Sequence, residues 1–299
     1  MTAIRRIAAP LGFPEEAITY LEDCHARLMA TPGVPDLFAE AEELLFTRSG
    51  KEFAGALKPV YALTDIHRYS VDMVFLLRSA QPLKYVYRKM GYSEELYTET
   101  VRDLLFKLRE CYDMYGVWGT FVTEWFDKFY TCQRFKLGRL QFETRAYPCE
   151  EDFRDIYKKG DTVVGCHIPS CGPMTYESVI DSLKRAYEFY PQFRVNGVLP
   201  VYCHSWLMYT PYAGRVFPEG SNSCKFLRMF ELVRESEDPH FEDFWRVFGR
   251  EYKPEAVADL PEDTGLRRRL KQFLLEGNPM GTSFGFILFD GEKILTEQK

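Results

Sequence analysis

The chain has 299 residues, enough for two domains of ordinary size, and its composition of 46% apolar and 27% charged residues excludes a disordered protein. Its net charge of −6 lacks the basic footprint that binding to a phosphate backbone requires, so we expect no nucleic-acid partner. The sequence contains no apolar run approaching the ~20 residues of a membrane span, and we expect no membrane association.

The eight cysteines lack the paired spacing of a disulfide framework. The N-terminal segment has two arginines but only a short apolar stretch, broken by Pro10, which is a poor signal peptide. Reduced thiols are the rule in the cytosol, so these features favour a cytoplasmic protein.

The first elements along the chain are helical. Pro14 followed by two glutamates predicts a helix start, because proline tolerates the first helical position and acids favour the first turn. A second helix is predicted near residue 35, a third over residues 60–77, and a fourth after Ser93, which has the character of an N-cap. Strand patterns of similar quality are absent before residue 135. We therefore predict an all-helical domain over residues 1–135.

After residue 136 the hydrophobic period changes to two. A strand is predicted over residues 140–146, and two further strands over residues 162–168 and 198–208. The amphipathic helix between the last two, residues 174–190, makes them a βαβ unit with parallel strands. The other predicted elements are a strand near residue 230, a helix over 266–275 and a hairpin of 284–289 with 293–296. We predict a mixed α/β domain over residues 136–299, and thus an α+β protein.

Cysteine directly precedes histidine at three places: Cys24-His25, Cys166-His167 and Cys203-His204. Both residue types bind zinc, but successive strand residues point to opposite faces, so neither strand pair can hold one ion together. We expect no metal, and we expect Cys166 and Cys203 to be core packing residues.

The opposite, polar face of the three strands is the predicted site. If the strands share that face, it gathers these side chains: Gln141, Glu143, Arg145, His167, Tyr202, His204 and Trp206. Histidine, carboxylate and tyrosine together are the components of general acid–base catalysis near neutral pH. The alternative is that each histidine is a structural residue in a polar layer. We predict a catalytic set of His204, Glu143, His167 and Tyr202. The predicted substrate-binding set is Trp206, Arg145 and Gln141.

The segment between the second predicted strand and the following helix is a further candidate. A tight turn before a helix N-terminus is an anion site, and this one contains Ser170, Cys171 and Gly172. Pro169 and Pro173 each remove an amide donor, so a rigid turn that shapes a cleft is the competing interpretation.

Four segments of the chain resemble a known family: Leu137-Gly-Arg-Leu-Gln-Phe-Glu143, His167-Ile-Pro-Ser-Cys-Gly-Pro173, Ser182-Leu-Lys-Arg-Ala186 and Cys203-His-Ser-Trp-Leu207. They are similar to segments of bacterial acyltransferase-domain proteins, and the similarity covers nearly the whole chain. The resemblance implies a helical N-acyltransferase N-terminal domain followed by a GNAT-like C-terminal domain. It also implies that residues 139–147 and 162–168 form an antiparallel pair.

The resemblance implies acyl-CoA, such as acetyl-CoA, as co-substrate. In GNAT enzymes a loop of the form Q/R-x-x-G-x-G/A holds the pyrophosphate, and the matching place here holds Ser170, Cys171 and Gly172 without that glycine pattern. The leading hypothesis is an N-acyltransferase that moves an acyl group from acyl-CoA to an amine of an unknown small molecule. His204 or Glu143 would accept the proton, and backbone amides near the splay between the two parallel strands would polarise the carbonyl.

Two alternatives remain at this point. One is a non-catalytic small-molecule binding or sensing protein that keeps the GNAT-like fold but has lost acyl-CoA binding. The other is a small-molecule hydrolase that uses the same polar face. The sequence does not indicate an oligomeric state.

Overall fold

The computed structural model describes residues 1–47 and 50–298. It contains two compact units, Met1–Lys136 and Leu137–Lys299, where the sequence predicted a boundary between residues 135 and 136. In the described part of the chain, every helix is too short or too polar to cross a membrane.

The first unit is helical, as predicted. Its helices are α1 (Ala3–Leu11), α2 (Glu15–Ala30), α3 (Val34–Thr47), α4 (Gly50–Ala56), α5 (Lys58–Leu63), α6 (Arg68–Lys89), α7 (Glu94–Val101), α8 (Asp103–Tyr115) and α9 (Asp127–Tyr130), the last preceded by a 3₁₀ turn at Thr123–Phe126. Helix α6 is the centre of the unit, because most of its residues are buried and both α1 and α2 pack against it. Phe75 of α6 contacts the rings of Phe38 and Phe53, with centroids 5.4 and 6.1 Å away.

Two predicted helices are each divided in the structure. The helix expected over residues 60–77 breaks between α5 and α6, where the His67 ring nitrogen Nδ1 accepts a hydrogen bond from the amide of Tyr69 and caps α6. The helix expected after Ser93 does begin there, since the Ser93 hydroxyl accepts from the amide of Leu96, but it divides at Arg102 into α7 and α8. The apolar period continues through both breaks, so it could not reveal them.

The second unit contains most of a six-stranded mixed sheet, whose first strand crosses the division between the units. The strands are β1 (Arg134–Leu137), β2 (Leu140–Ala146), β3 (Thr162–His167), β4 (Leu199–Ser205), β5 (Glu231–Glu237) and β6 (Gly281–Phe289). The helices are α10 (Tyr176–Phe189), α11 (Asn222–Leu227), α12 (Trp245–Phe248) and α13 (Gly265–Leu275). The strand order is β1-β2-β3-β4-β6-β5. The predicted α+β class is confirmed.

The pairing around β3 agrees with the predicted arrangement. Strands β2 and β3 are antiparallel, and β3 and β4 are parallel with α10 between them in sequence. The β3–β4 ladder is short, because it pairs only Val164 with Val201 and Gly165 with Tyr202. Strand β4 ends at Ser205 rather than at residue 208, where a 3₁₀ turn follows. The expected strand over residues 293–296 is only an isolated bridge from Ile294 to Phe289.

The apolar face of the sheet packs against α10. Val179, Leu183 and Ala186 of the helix are buried, and the Ser182 hydroxyl accepts hydrogen bonds from the amides of Arg139 and Leu140 at 2.7 and 3.2 Å. This close approach requires a glycine before the strand: a Cβ at Gly138, whose φ is +73°, would lie 2.8 Å from the Ser182 oxygen.

Candidate active site

Strand register gathers the predicted polar residues on one face. Glu143 pairs with Gly165, and Gly165 pairs with Tyr202, so these three positions lie side by side across β2, β3 and β4. His167 and His204 each lie two residues further along β3 and β4, hence on the same face and toward the same carboxyl-terminal edge. Open α/β sheets bind ligands at the carboxyl ends of their parallel strands, so this edge is the candidate site.

Glu143 and His167 form a carboxylate–imidazole pair. His167 Nε2 lies 3.3 Å from Glu143 Oε1. The Glu143 side chain is 2% exposed, whereas that of His167 is 23% exposed. The carboxylate is buried and the imidazole is partly exposed, so the two side chains lie at the boundary between the sheet and solvent.

Arg145 lies across the middle of this face. Its aliphatic arm passes over Gly165, where a Cβ would approach the Arg145 Cδ to 3.1 Å. Its guanidinium carbon is 5.6 Å from the centroid of the Tyr202 ring, within cation–π range. The absence of a side chain at residue 165 therefore gives Arg145 its path toward β4.

Tyr202 is a buried phenol. Its ring packs among Tyr147 and Phe286, and within the described residues its hydroxyl has no hydrogen-bond partner. Burial raises the pKa of Tyr202, with the nearby Cys149 thiol adding to the effect. The hydroxyl therefore stays protonated at neutral pH, so it can donate a hydrogen bond but cannot act as a base.

His204 is the exposed imidazole of the site. Its ring stacks on Phe284 with centroids 3.8 Å apart, and its Nε2 lies 3.1 Å from the Thr282 hydroxyl. The surrounding atoms desolvate the ring and lower the pKa of His204, and the positive charge of Arg145 lowers it further, against the opposing charges of Asp243 and Asp238. The ring is therefore neutral at physiological pH, the form in which imidazole accepts a proton.

Gln141 and Trp206, two of the predicted substrate-binding residues, are not placed as expected. Gln141 pairs with His167 on the polar face but is buried. Trp206 does not continue the alternation of β4, because it lies in the 3₁₀ turn of Trp206–Met208 and its ring is buried in an aromatic cluster with Tyr212, Phe217 and Phe241. The placement of Trp206 beside Tyr202 and His204 was therefore wrong.

The loop between β3 and α10 is organised by Arg139. Its guanidinium donates to three loop carbonyls: from Nη1 to Pro169 at 2.8 Å, from Nη2 to Gly172 at 2.9 Å and from Nε to Pro173 at 3.3 Å. The Cys171 thiol donates to the Arg139 carbonyl at 3.6 Å, and the Cys171 amide donates to the Pro169 carbonyl. The three residues predicted to bind the cofactor thus lie in a loop that one arginine fixes, with the φ of Gly172 at +104°.

This loop suits an anion despite its two prolines. In the described part of the chain, the amides of Gly172 and Met174 make no hydrogen bonds, so both can donate. Burial lowers the pKa of Arg139, yet a guanidinium remains charged at neutral pH, so the loop carries a fixed positive charge. The sequence did not single out Arg139, because no local pattern marks an arginine that binds carbonyls 30 or more residues away.

The two strand cysteines, Cys166 and Cys203, do not take part in the polar face. All eight are free thiols, and Cys166 and Cys203 are buried on the opposite face. Burial and the Cys203 thiol raise the pKa of Cys166, which therefore remains a thiol. Among residues 1–47 and 50–298, the histidines, cysteines and acidic residues form no group of three that could hold a metal ion.

Comparison with known families assigns both units. Residues 2–132 match the N-acyltransferase N-terminal domain, and residues 134–287 match the GNAT-like C-terminal domain. The curated proteins include no significant match to the chain.

Several solved acyltransferases have the same fold. An acyltransferase in complex with decanoyl-CoA and teicoplanin superimposes with a TM-score of 0.72 at 20% identity, over 96% of this chain and 87% of that chain. An acyltransferase in complex with decanoyl-CoA gives 0.71 at 21% over the same shares. One in complex with CoA and 10C-teicoplanin gives 0.70 at 19%, over 95% and 86%. The chain belongs to the acyltransferase family in which an N-acyltransferase N-terminal domain precedes a GNAT-like C-terminal domain.

Proposed function

We propose that the protein is an acyl-CoA-dependent N-acyltransferase that acylates an amine of a small molecule. One observation supports the proposal most directly. The neutral His204 lies near the carboxyl-terminal end of β4, and the loop that suits an anion begins at the carboxyl-terminal end of the parallel neighbour β3. Similar folds that hold decanoyl-CoA or CoA support the same co-substrate.

The loop would hold the pyrophosphate of acyl-CoA. The amides of Gly172 and Met174 would donate hydrogen bonds to the pyrophosphate. A glycine-rich loop attracts the pyrophosphate with additional amides, and here the positive charge of Arg139 would take their place. In this proposal Ser170, Cys171 and Gly172 form the cofactor-binding loop, and Arg139 keeps the carbonyls of Pro169, Gly172 and Pro173 turned away from the anion.

His204 would act as the general base. The amine nitrogen attacks the thioester carbon and forms the C–N bond, while the C–S bond breaks and His204 accepts a proton from the nitrogen. His204, once protonated, would pass that proton to the departing CoA sulfur, which leaves as the thiol and returns the ring to its neutral form. The Tyr202 phenol, whose pKa is raised, would keep its proton and act as a hydrogen-bond donor. Glu143 and His167 form the second proton-carrying pair, and Glu143 remains the other candidate base.

The test is a thiol-release assay with decanoyl-CoA and acetyl-CoA against a panel of small amines, with mass spectrometry of the products. We expect amine-dependent release of CoA that falls by roughly 10²–10⁴ in His204→Ala, the usual loss when a general base is removed. The matched control is His240→Ala, which replaces an exposed histidine of the same unit and should retain full activity.

Calorimetry of the wild type with the same acyl-CoA compounds separates the proposal from the alternatives. Heat of binding without any amine-dependent release would favour a binding protein, and amine-independent release would favour a hydrolase. An absence of binding heat with both compounds would exclude acyl-CoA as the co-substrate.

A further inference from the structure

The helical unit contains a cavity of about 490 Å³. It lies between α1, α3 and α6 and is lined by Ala3, Glu42, Arg78, Gln81, Pro82 and Tyr85. Its volume is within the ~300–1,000 Å³ of ordinary small-molecule sites. Every lining residue belongs to the first unit, so the cavity can be considered independently of the acyl transfer proposed above.

Arg78 presents an unsatisfied charged group at this cavity. Its Nη1 atom is buried, and within the described residues it has no hydrogen-bond partner. The guanidinium carbon lies 5.8 Å from the Phe38 ring centroid, which satisfies none of its N–H groups. A buried guanidinium nitrogen without an acceptor is costly, and a carboxylate is the ligand that matches its planar geometry.

Glu42 supplies the opposite charge. Its Oε1 accepts a hydrogen bond from the Ser79 hydroxyl at 2.8 Å, and it forms no ion pair with Arg78 in the described structure. Two opposite charges that line one cavity without neutralising each other suit a ligand that carries both signs. A free ammonium group would complement Glu42, while a carboxylate on the same molecule would complement Arg78.

Pro82 and Tyr85 add an apolar wall to the cavity. The Tyr85 ring is 62% exposed and offers a flat surface to an apolar side chain.

We propose that this cavity binds a small zwitterion of the amino-acid or dipeptide class, with its carboxylate on Arg78 and its ammonium group near Glu42. The apolar side chain of the ligand would lie along Pro82 and Tyr85. The residues of this site differ from those proposed for acyl transfer, and the ligand would bind the helical unit itself.

The test uses calorimetry of the full chain with three probes: alanyl-phenylalanine, its C-terminal amide and its N-acetyl form. The free dipeptide should bind, and each blocked form should bind roughly tenfold more weakly or worse, because each lacks one charged contact. In Arg78→Gln the free dipeptide and its amide should become equal in affinity, and in Glu42→Gln the free and acetylated forms should become equal.

Matched controls are Arg88→Gln and Glu40→Gln, which remove exposed charges from the same two helices and should leave binding unchanged. The probe series on the wild type decides the question even if Arg78→Gln fails to fold. The proposal is overturned if the dipeptide gives no binding, if the three probes bind equally, or if a folded Arg78→Gln keeps the wild-type preference.

Discussion

The His204 imidazole is controlled by two neighbours with different effects. Phe284 provides a stacking surface that fixes the ring. Desolvation lowers the pKa of His204, and the positive charge of Arg145 lowers it further. A base with a lowered pKa is already deprotonated at neutral pH, so it is ready to accept a proton. Because Arg145 passes over Gly165 toward β4, its charge affects the protonation of His204.

The first prediction concerns the acid limb of the pH–rate profile. In the wild type, kcat/KM should rise through the lowered pKa of His204, below the ordinary value of about 6.5, and should be level at neutral pH. Arg145→Gln removes the charge that opposes protonation, so the limb should move to higher pH. Arg250→Gln, an exposed control, should leave it in place. A limb that does not move in Arg145→Gln would show that this charge does not govern the base.

The second prediction compares the stability of two site variants. His204→Ala removes an exposed ring with one hydrogen bond, so the free energy of unfolding should fall by less than about 1 kcal/mol. Glu143→Ala removes a buried carboxylate and leaves His167 without it, so we expect a loss of roughly 2 kcal/mol or more. Urea unfolding measures both. Comparable losses in the two variants would mean that His204 is also a structural residue.

At the scale of elements, the loop between β3 and α10 depends on the beginning of β2. Arg139 precedes that strand, and its guanidinium replaces the internal hydrogen bonds that a short loop with two prolines cannot make for itself. The Ser182 hydroxyl ties the same backbone to α10, so strand, loop and helix are fixed at one point.

The third prediction follows from that arrangement. Arg139→Met should raise the KM for acyl-CoA by roughly tenfold or more while changing kcat less, since it disorders a binding loop and leaves His204 in place. Arg185→Met is the matched control, because Arg185 lies on α10 and, among the described residues, forms its ion pair with Asp181 one turn earlier. Equal effects of the two substitutions on KM, or a loss confined to kcat, would contradict a positioning role for Arg139.

The elements around the site could be predicted because their signals are local. Strand β2 and the parallel pair joined by α10 follow from alternation and helical period, and so does the common face of Glu143, His167 and Tyr202. The end of β4 could not be predicted, because the Ser205 hydroxyl accepts from the amide of Leu207 and starts a 3₁₀ turn within an apolar run. The role of Arg139 could not be predicted either, because it depends on contacts with residues distant in sequence, and hydrophobic periodicity contains no information about such contacts.

At the scale of the whole molecule, stability should depend on a buried acid in the helical unit. Asp72 of α6 is 5% exposed and accepts hydrogen bonds from the Tyr61 hydroxyl at 2.6 Å and the Thr123 hydroxyl at 2.5 Å. Desolvation nevertheless raises its pKa to about 6, since two neutral donors do not compensate for the lost water. The contacts join α5, α6 and the 3₁₀ turn before α9, so the protonation of one carboxyl affects the unit as a whole.

The fourth prediction is the resulting pH dependence of unfolding. A carboxyl whose pKa is higher in the folded than in the unfolded chain binds more protons when folded, so its stabilising contribution is complete below about pH 4 and is lost as pH rises through about 6. The loss should approach ~3 kcal/mol across that interval. Asp72→Asn, which cannot ionise, should remove this component, whereas Asp113→Asn, an exposed control on α8, should retain it.

Tryptophan fluorescence provides the measurement in a chain whose Trp118, Trp206 and Trp245 are replaced by Phe. The remaining Trp125 lies in the same 3₁₀ turn as Thr123 and reports the unfolding of the helical unit. Urea titrations at a series of pH values from 4 to 7 would give the free energy of unfolding for the wild type and both variants. The difference between wild type and Asp72→Asn isolates one carboxyl, since the remaining titrating groups are common to both proteins. If that difference is constant with pH, Asp72 has the same pKa in the folded and unfolded chains, and its two hydroxyl donors compensate fully for burial.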